Sequence, residues 1–365
     1  MKTSTSKRLR WNVAIWLAAG LFMAETVSMA AGPIMPDPKA EARHQPQVEE
    51  TANGIPLVNI TAPSSGGVSR NEYEMFNVPD KGAILNNSYT LSKTELAGYV
   101  QGNNNMAERP AKIIVNEVTG AGPTSMDGFL EVAGNRADVV IANPNGITVN
   151  GGGFINTGKA FLTTGKPVYD GEDHLQRFDI TGGDILIEGK GLGGKETGSL
   201  AILSRAVKIN AGIWAKDLHI TTGANTVDAK TLEASAIEGK GGRPAFALDT
   251  AAIGGMYAGR ITLVGTEKGL GVNNSGTWSA EDNLTLDWNG DLKNSGTIYS
   301  KGNTDLRASR LENDKTIAAE RNLSAAAKEN IRNQGKLLAG ENMGIYAGKH
   351  WTMRDMPWKA ETTCP

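Results

Sequence analysis

Four copies of a motif of about 20 residues occupy the carboxyl-terminal part of this 365-residue chain. Two asparagines mark each copy, and the second follows the first after nine residues. The first set is Asn274, Asn294, Asn313 and Asn333, and the second set is Asn283, Asn303, Asn322 and Asn342. Two markers that keep one phase over four copies indicate a repeat architecture, in which each unit buries its apolar side against its neighbours.

Apolar residues keep the same phase as the asparagines. Trp278 and Leu286 in the first copy correspond to Ile298 and Leu306 in the second. Apolar positions spaced by two are typical of strands, and asparagines suit corners because they tolerate left-handed backbone and can form ladders between stacked coils. We therefore predict two short strands per coil in an all-β, right-handed parallel β-helix. An antiparallel meander with similar turns is the alternative.

A strand, a turn and a second strand follow one another near the middle of the chain. Residues 137–142 carry a strand in which Val139, Val140 and Ile141 supply β-branched bulk. Pro144 ends backbone pairing because it has no N–H group, and Asn145–Gly146 tolerates the positive φ that a tight reversal demands. Alternation resumes at Ile147. The pattern predicts two strands that meet at a sharp corner.

The rest of the chain has the same turn-rich character. Glycine accounts for 45 residues and aromatic residues for only 6%, which favours tight turns over a thick globular core. Looser strands continue to residue 272, but residues 225–244 hold few of them and predict a loop or hairpin that leaves the helix body. Residues 273–350 carry the repeats, and residues 351–365 are predicted to be a non-repeat tail.

The amino terminus resembles a signal peptide. Lys2, Lys7 and Arg8 precede an uncharged, mostly apolar run at residues 11–24, and a small-x-small pattern ends at Ala30, the predicted cleavage site. An uncleaved anchor is the alternative. Residues 31–52 contain four prolines and mixed charge, and we predict an extended lead-in there.

Composition argues against several classes of function. A net charge of −2 does not favour nucleic acid as a partner, and a single cysteine, Cys364, excludes an internal disulfide framework. The four histidines lack metal-ligand spacing, so no metal or cofactor site is predicted. Polysaccharide-active enzymes on a β-helix need carboxylates aligned on neighbouring coils. The acidic groups at Asp170–Asp173 and Glu281–Asp282 do not recur one coil later, so an enzyme is the less favoured interpretation.

Several sequence blocks around the central corner resemble one known family. The blocks are Phe76–Pro79, Gly82–Ser88, Ile113–Val118, Gly128–Gly134 and Asn143–Ile147. Together they resemble the N-terminal secretion domain, or haemagglutination-activity domain, of filamentous haemagglutinins and other two-partner secretion exoproteins. The resemblance is most specific over residues 53–167 and looser to residue 272. The family usually has an Asn-Pro-Ser turn where this chain has Gly122–Ser125, which removes the asparagine of that turn.

The resemblance implies capping strands, drawn from residues 53–115, that lie outside the helix at its amino-terminal end. It also implies a partner, which is an outer-membrane β-barrel transporter with periplasmic recognition domains. The expected recognition residues are Asn143, Pro144, Asn145, Gly146 and Ile147, together with Asn116 and Glu117. A purely structural role for this corner is the alternative.

The same resemblance implies a secreted or cell-surface protein of a Gram-negative bacterium, exported through the periplasm. The expected function is that of a non-enzymatic adhesin of the haemagglutinin type, with a receptor or glycan on a host or neighbouring cell as a further partner. The alternative is the amino-terminal portion of a contact-dependent growth-inhibition effector.

Overall fold

A computed structural model describes residues 32–106 and 109–353 of the chain. The signal peptide predicted at residues 1–30, its cleavage site at Ala30 and the end of the predicted tail, residues 354–365, lie outside the described residues. Strands wind into a parallel β-helix whose coils have three faces, which confirms the predicted fold class. Within the described ranges, no helix has the length and apolar character needed to cross a membrane.

Each face is a parallel sheet in which every strand pairs with the equivalent strand of the next coil. The strands of the first face are Pro56–Asn59, Ala83–Asn87, Phe129–Gly134, Gly152–Ile155, Leu192–Gly194, the first halves of Gly212–Thr222 and Gly255–Gly265, Thr277–Ala280, Thr297–Ser300, Thr316–Ala319 and Lys336–Ala339. Those of the second face are Val68–Phe76, Ile113–Val118, Ala137–Ala142, Thr157–Thr163, Ser199–Ser204, the second halves of the two long strands, Leu284–Trp288, Thr304–Ala308, Leu323–Ala327 and Met343–Ala347. Those of the third face are Thr124–Met126, Ile147–Val149, Asp184–Ile187, Ala206–Ile209, Phe246–Thr250, Gly271–Asn274, Leu292–Asn294, Leu311–Asn313, Asn330–Asn333 and His350–Met353.

The third face corrects the prediction of two strands per coil. Its strands have only three to five residues, and in the repeats they end at the first asparagine of each copy. The sequence around these asparagines was interpreted as turn because so short a strand cannot show a full period of alternation. The predicted start of the tail is also wrong, since His350–Met353 pairs in register with Asn330–Asn333 and continues the repeat.

The two asparagine columns form the predicted ladders between coils. Asn274 donates through Nδ2 to Oδ1 of Asn294 at 2.8 Å, Asn294 donates to Asn313 at 2.7 Å, and Asn313 donates to Asn333 at 2.6 Å. These four side chains are almost completely buried. In the second column the later asparagine donates to the earlier one, as from Asn342 to Asn322 at 2.8 Å, and the Asn303 backbone N–H donates to Asn283 Oδ1 at 2.8 Å. Asn342 is exposed. None of the eight asparagines has a positive φ, so the predicted left-handed conformation is wrong and the amide ladder explains these residues.

Antiparallel strands occupy the amino-terminal edges of the first coil. Gln47–Glu50 pairs with Pro56–Asn59, and Ile34–Pro36 pairs with Val68–Phe76. A short 3₁₀ helix, Ala42–His44, lies between them. These pairings satisfy backbone groups that would otherwise form an open sheet edge. The strands outside the helix therefore begin at Ile34, before the predicted start at residue 53, and the predicted lead-in is ordered from residue 33.

A separate antiparallel sheet packs on the outside of the second face. Its strands are Lys166–Tyr169, Leu175–Ile180, Asn225–Asp228 and Ala234–Ala236, so the segment predicted to leave the helix at residues 225–244 contributes its second hairpin. A second, external core joins the two layers: Val140 and Phe161 on the helix pack with Phe178 of the added sheet, and the two phenyl centroids lie 5.7 Å apart. A smaller hairpin, Ser92–Thr94 with Gly98–Val100, lies near the first face.

Buried charges connect the amino-terminal strands, the first two coils and the added sheet. The Arg70 guanidinium contacts the Glu72 carboxylate at 2.9 Å and the Glu117 carboxylate at 3.5 Å, and it lies 4.5 Å from the ring centroid of Tyr169. His44 Nδ1 is 3.1 Å from Glu72. Burial raises the pKa of Glu117 above its ordinary value of 4.5, although Arg70 opposes the shift. Burial and the charge of Arg70 lower the pKa of His44, so its neutral form is favoured.

The buried asparagine ladder predicts an asymmetric cost of mutation. Asn294→Ala removes an amide that bonds both neighbouring coils, and each orphaned buried partner should cost about 1–3 kcal/mol. Asn342→Ala removes a bond that water can replace, so its cost should be smaller. Denaturant midpoints of the two purified variants check this expectation. Equal losses of stability would show that the buried ladder has no special role.

The buried carboxyl predicts a stability that depends on pH. The folded protein holds the Glu117 proton more tightly than the unfolded chain does, so its ionisation costs stability as pH rises above about 4.5. Glu117→Gln should therefore gain stability relative to the wild type progressively as pH increases, measured as the urea midpoint at several pH values. Glu49→Gln, at an exposed site, controls for loss of one charge. Parallel profiles of wild type and Glu117→Gln would contradict the expectation.

Candidate functional site

The Asn143–Ile147 segment forms the corner between the second and third faces of one coil. The Gly146 N–H donates to the Asn143 carbonyl at 3.1 Å, and the Asn145 N–H donates to Asn143 Oδ1 at 2.9 Å. Pro144 is at the second position of this turn, which proline favours. Only Gly146 has a positive φ, of 112°, so the prediction that Asn145 shares it is wrong. The Asn143 side chain, which bonds within the turn, supplies the stabilisation.

Asn143 also connects two coils. Its Nδ2 donates to the Gly122 carbonyl and to Thr124 Oγ1, both at 3.0 Å, in the turn of the preceding coil. Its backbone N–H donates to the Thr163 carbonyl of the following coil at 2.9 Å. The turn at Gly122, which lacks the asparagine usual in the family, is thus bonded by an amide from the next coil, which uses the Gly122 carbonyl as its acceptor.

The five residues of the segment differ sharply in exposure. Asn143 and Ile147 are buried, and Ile147 belongs to the core of the helix. Pro144 and Asn145 are exposed. Asn145 Nδ2 donates to the Gly120 carbonyl at 2.8 Å, which fixes the orientation of the amide at the surface. A partner that meets the folded chain can therefore contact the turn only through Pro144 and Asn145.

A groove of about 570 Å³ begins at this turn. Its lining includes Asn145, Thr148, Gly183, Lys208 and Lys240. Both hairpins of the added sheet leave the helix at the same corner, one and three coils further on, and the chain that returns from them forms the far wall. The groove therefore exists only when the added sheet is in place.

An ion pair holds the far wall. Arg205 contacts the Glu267 carboxylate with Nε at 3.1 Å and with Nη2 at 3.0 Å, and it donates to the Lys240 carbonyl at 2.7 Å. The hydrogen bond from Arg205 lowers the pKa of Glu267 and raises that of Arg205, so both remain charged. Sequence analysis missed this pair because its members are 62 residues apart in irregular corner segments.

Asn116 and Glu117 lie one coil before the turn but are not exposed beside it. Asn116 points into the helix, where it accepts a hydrogen bond from Tyr73 at 3.0 Å and donates to the Val140 carbonyl at 3.1 Å. Glu117 is 5% exposed and belongs to the buried charge cluster with Arg70. The structure therefore brings both residues close to the corner through the fold but leaves neither available as a surface contact.

The remaining site predictions concern metal ligands and the two asparagine columns. In residues 32–106 and 109–353, no group of histidine, cysteine, aspartate and glutamate has the geometry of a metal site. The asparagine columns at Asn274–Asn333 and Asn283–Asn342 are structural corners, at the end of the third face and at the start of the second.

Comparison with known proteins agrees with this geometry. The family model described as the TPS secretion domain matches residues 33–299, well over half of the chain. A solved structure, the filamentous hemagglutinin secretion domain, is 30% identical, covers 88% of this chain and all of that one, and superposes with a TM-score of 0.64.

Two curated relatives are more similar in sequence. Toxin CdiA of Yersinia pestis is 43% identical over 298 residues, which is 75% of this chain and 9% of that protein. The tRNA nuclease CdiA of Yersinia mollaretii is 40% identical over 332 residues, which is 90% of this chain and 11% of that protein. The chain thus spans about a tenth of the length of the curated relatives it matches. It belongs to the TPS secretion domain family, and it carries the secretion domain of a two-partner secretion exoprotein.

Proposed function

We propose that this chain directs the export of a contact-dependent growth-inhibition effector through a dedicated outer-membrane transporter. The relatives named CdiA support this class over the adhesin type, because they are 38–44% identical, whereas the haemagglutinin secretion domain is 30% identical. The adhesin remains the second candidate, supported by the structural match over 88% of the chain. In either case the route runs through the periplasm of a Gram-negative cell, and the secretion domain itself performs no catalysis.

The exposed half of the Asn143–Ile147 turn is the proposed contact for the transporter. Pro144 and Asn145 project at the mouth of the groove, and hydrogen bonds from Asn145 fix its amide. Pre-oriented polar groups cost less to immobilise on binding than mobile ones. Asn143, Asn116 and Glu117 are buried and are proposed to act by holding the first coils together.

Export assays separate these two roles. Asn145→Ala removes exposed hydrogen bonds, so it should leave the denaturant midpoint close to that of the wild type but shift protein from the medium to the periplasm. Asn143→Ala leaves buried partners without a bond and should cost about 1–3 kcal/mol. Asn330→Ala, at an exposed site on a distant coil, is the matched control. Normal export of a stably folded Asn145→Ala variant would refute recognition through the folded turn.

A domain exchange tests the class of exoprotein. This chain should replace the homologous segment of Toxin CdiA of Yersinia pestis and still allow export through the transporter of that protein, measured as inhibition of susceptible neighbouring cells. The filamentous haemagglutinin transporter should export the same chimera less well. The opposite order of export would favour the adhesin class instead.

A further inference from the structure

One outward-facing column on the first face is rich in aromatic residues. Strand register places Phe129, Gly153, Gly193, Trp214 and Tyr257 at the same position of five successive coils. Adjacent strands are ~4.8 Å apart, so this column runs for roughly 19 Å along the helix axis.

The rings in this column lie flat on the sheet because glycines lie beneath them. A Cβ atom built on Gly212, two residues before Trp214, would lie 2.5 Å from two carbon atoms of the indole. A Cβ on Gly255 would lie 2.8 Å from the Tyr257 hydroxyl, and one on Gly153 would lie 2.4 Å from the Phe129 ring. The Trp214 and Tyr257 rings are 6.1 Å apart and only 16° from coplanar.

Each flat ring has one face against backbone and the other turned away from the sheet. Phe129 is 43% exposed and Tyr257 is 38% exposed, while Trp214 is partly exposed. An aromatic face carries partial negative charge and attracts weakly positive C–H groups, such as those on the flat side of a pyranose ring. The advance per coil is close to the length of one sugar unit. The Phe129 ring lies over Gly153 of its own column, whereas the Trp214 and Tyr257 rings lie over Gly212 and Gly255, two residues earlier on their strands.

Polar groups border the platform. Lys195 and Lys216 follow the paired residues Gly194 and Ala215, and both are exposed. Two residues beyond Phe129 on its strand, a groove of about 1040 Å³ begins, and its lining includes Thr94, Arg136 and Asn156. Stacking surfaces bordered by hydrogen-bonding groups suit a ligand with apolar faces and hydroxylated edges, whereas an apolar protein partner would leave these polar groups without bonds.

We propose that Phe129, Trp214 and Tyr257 form a binding platform for a β-1,4-linked polysaccharide chain that lies along the helix axis. Such a chain is flat, as the rings on the sheet are, and it presents successive pyranose faces to them. The competing explanation is that the rings only cover glycine backbone and bind nothing. The proposal does not depend on the route of export.

Calorimetric titration of the purified, folded chain tests the proposal. The probes are cellohexaose and chitohexaose, which are flat, and maltohexaose, which is α-linked and curved. Trp214→Ala should weaken binding of the flat probes by about tenfold, through loss of stacking. Gly212→Ala keeps the tryptophan but forces its ring off the sheet, so it should weaken binding similarly. Gly122→Ala, whose new methyl group would meet no atom within 4 Å, is the matched control.

The platform is supported if the wild type and Gly122→Ala bind at least one flat probe and if Trp214→Ala and Gly212→Ala bind that probe more weakly. The proposal is overturned if neither flat probe binds, if maltohexaose binds as tightly as they do, or if Trp214→Ala retains wild-type affinity. Circular dichroism and the denaturant midpoint of each variant establish that it remains folded, so that lost binding is not lost structure. If Trp214→Ala does not fold, the same readout from Gly212→Ala decides between the platform and simple coverage of glycine.

Discussion

The parallel backbone ladder between successive coils is the interaction on which the rest of this structure depends. In-register pairing places each side chain directly against its equivalent in the next coil. Equivalent side chains therefore form continuous columns along the helix. Buried amides become ladders, as from Asn274 to Asn333, and flat rings become a continuous surface, as from Trp214 to Tyr257. A single residue therefore affects two neighbours at once, and this is why a buried asparagine connects three coils.

The side chains of the second face pack into two hydrophobic cores, one inside the helix and one under the added sheet. Val139 and Ile141 point into the helix, whereas Val140 and Ala142 pack under the added sheet. Because both sides of this strand are buried from Val139 onward, Val139–Ala142 is a continuous apolar run. The added sheet also creates the groove beside the turn, since its two hairpins leave and rejoin the helix at the corner where Asn145 is exposed. External packing and the candidate recognition site are therefore parts of one arrangement.

Sequence patterns predicted the elements that repeat and missed those that do not. The asparagine columns and the strands before and after Pro144 follow from periodicity and turn chemistry. In the repeats at residues 273–350, the third strand of each coil was missed because three or four residues are too few to show alternation. A loop or hairpin was predicted at residues 225–244, but the joining of two hairpins into one added sheet was missed because the pairs between them, such as Phe178 with Val227, are distant in sequence. The continuous apolar run Val139–Ala142 was the available signal for it. The roles of Asn116 and Glu117 could not be assigned, because the direction of a side chain depends on register that the sequence does not state.

Burial of the turn limits when a partner can contact each part of it. Pro144 and Asn145 remain exposed after folding, so a transporter can contact them in the finished coil. Val140 and Ala142, on the strand that leads into the turn, are closed off by Phe178 and the rest of the added sheet. A partner that contacts the Val140 and Ala142 side chains must therefore act before that sheet packs, whereas one that contacts Asn145 can act before or after. Because the groove forms only with the added sheet, a partner that needs both Asn145 and Lys240 must wait for folding of residues 166–242. Val140 and Ala142 are thus accessible only to a partner that meets the chain before the added sheet packs. Asn145 and Lys240 together are accessible only to a partner that meets the folded domain.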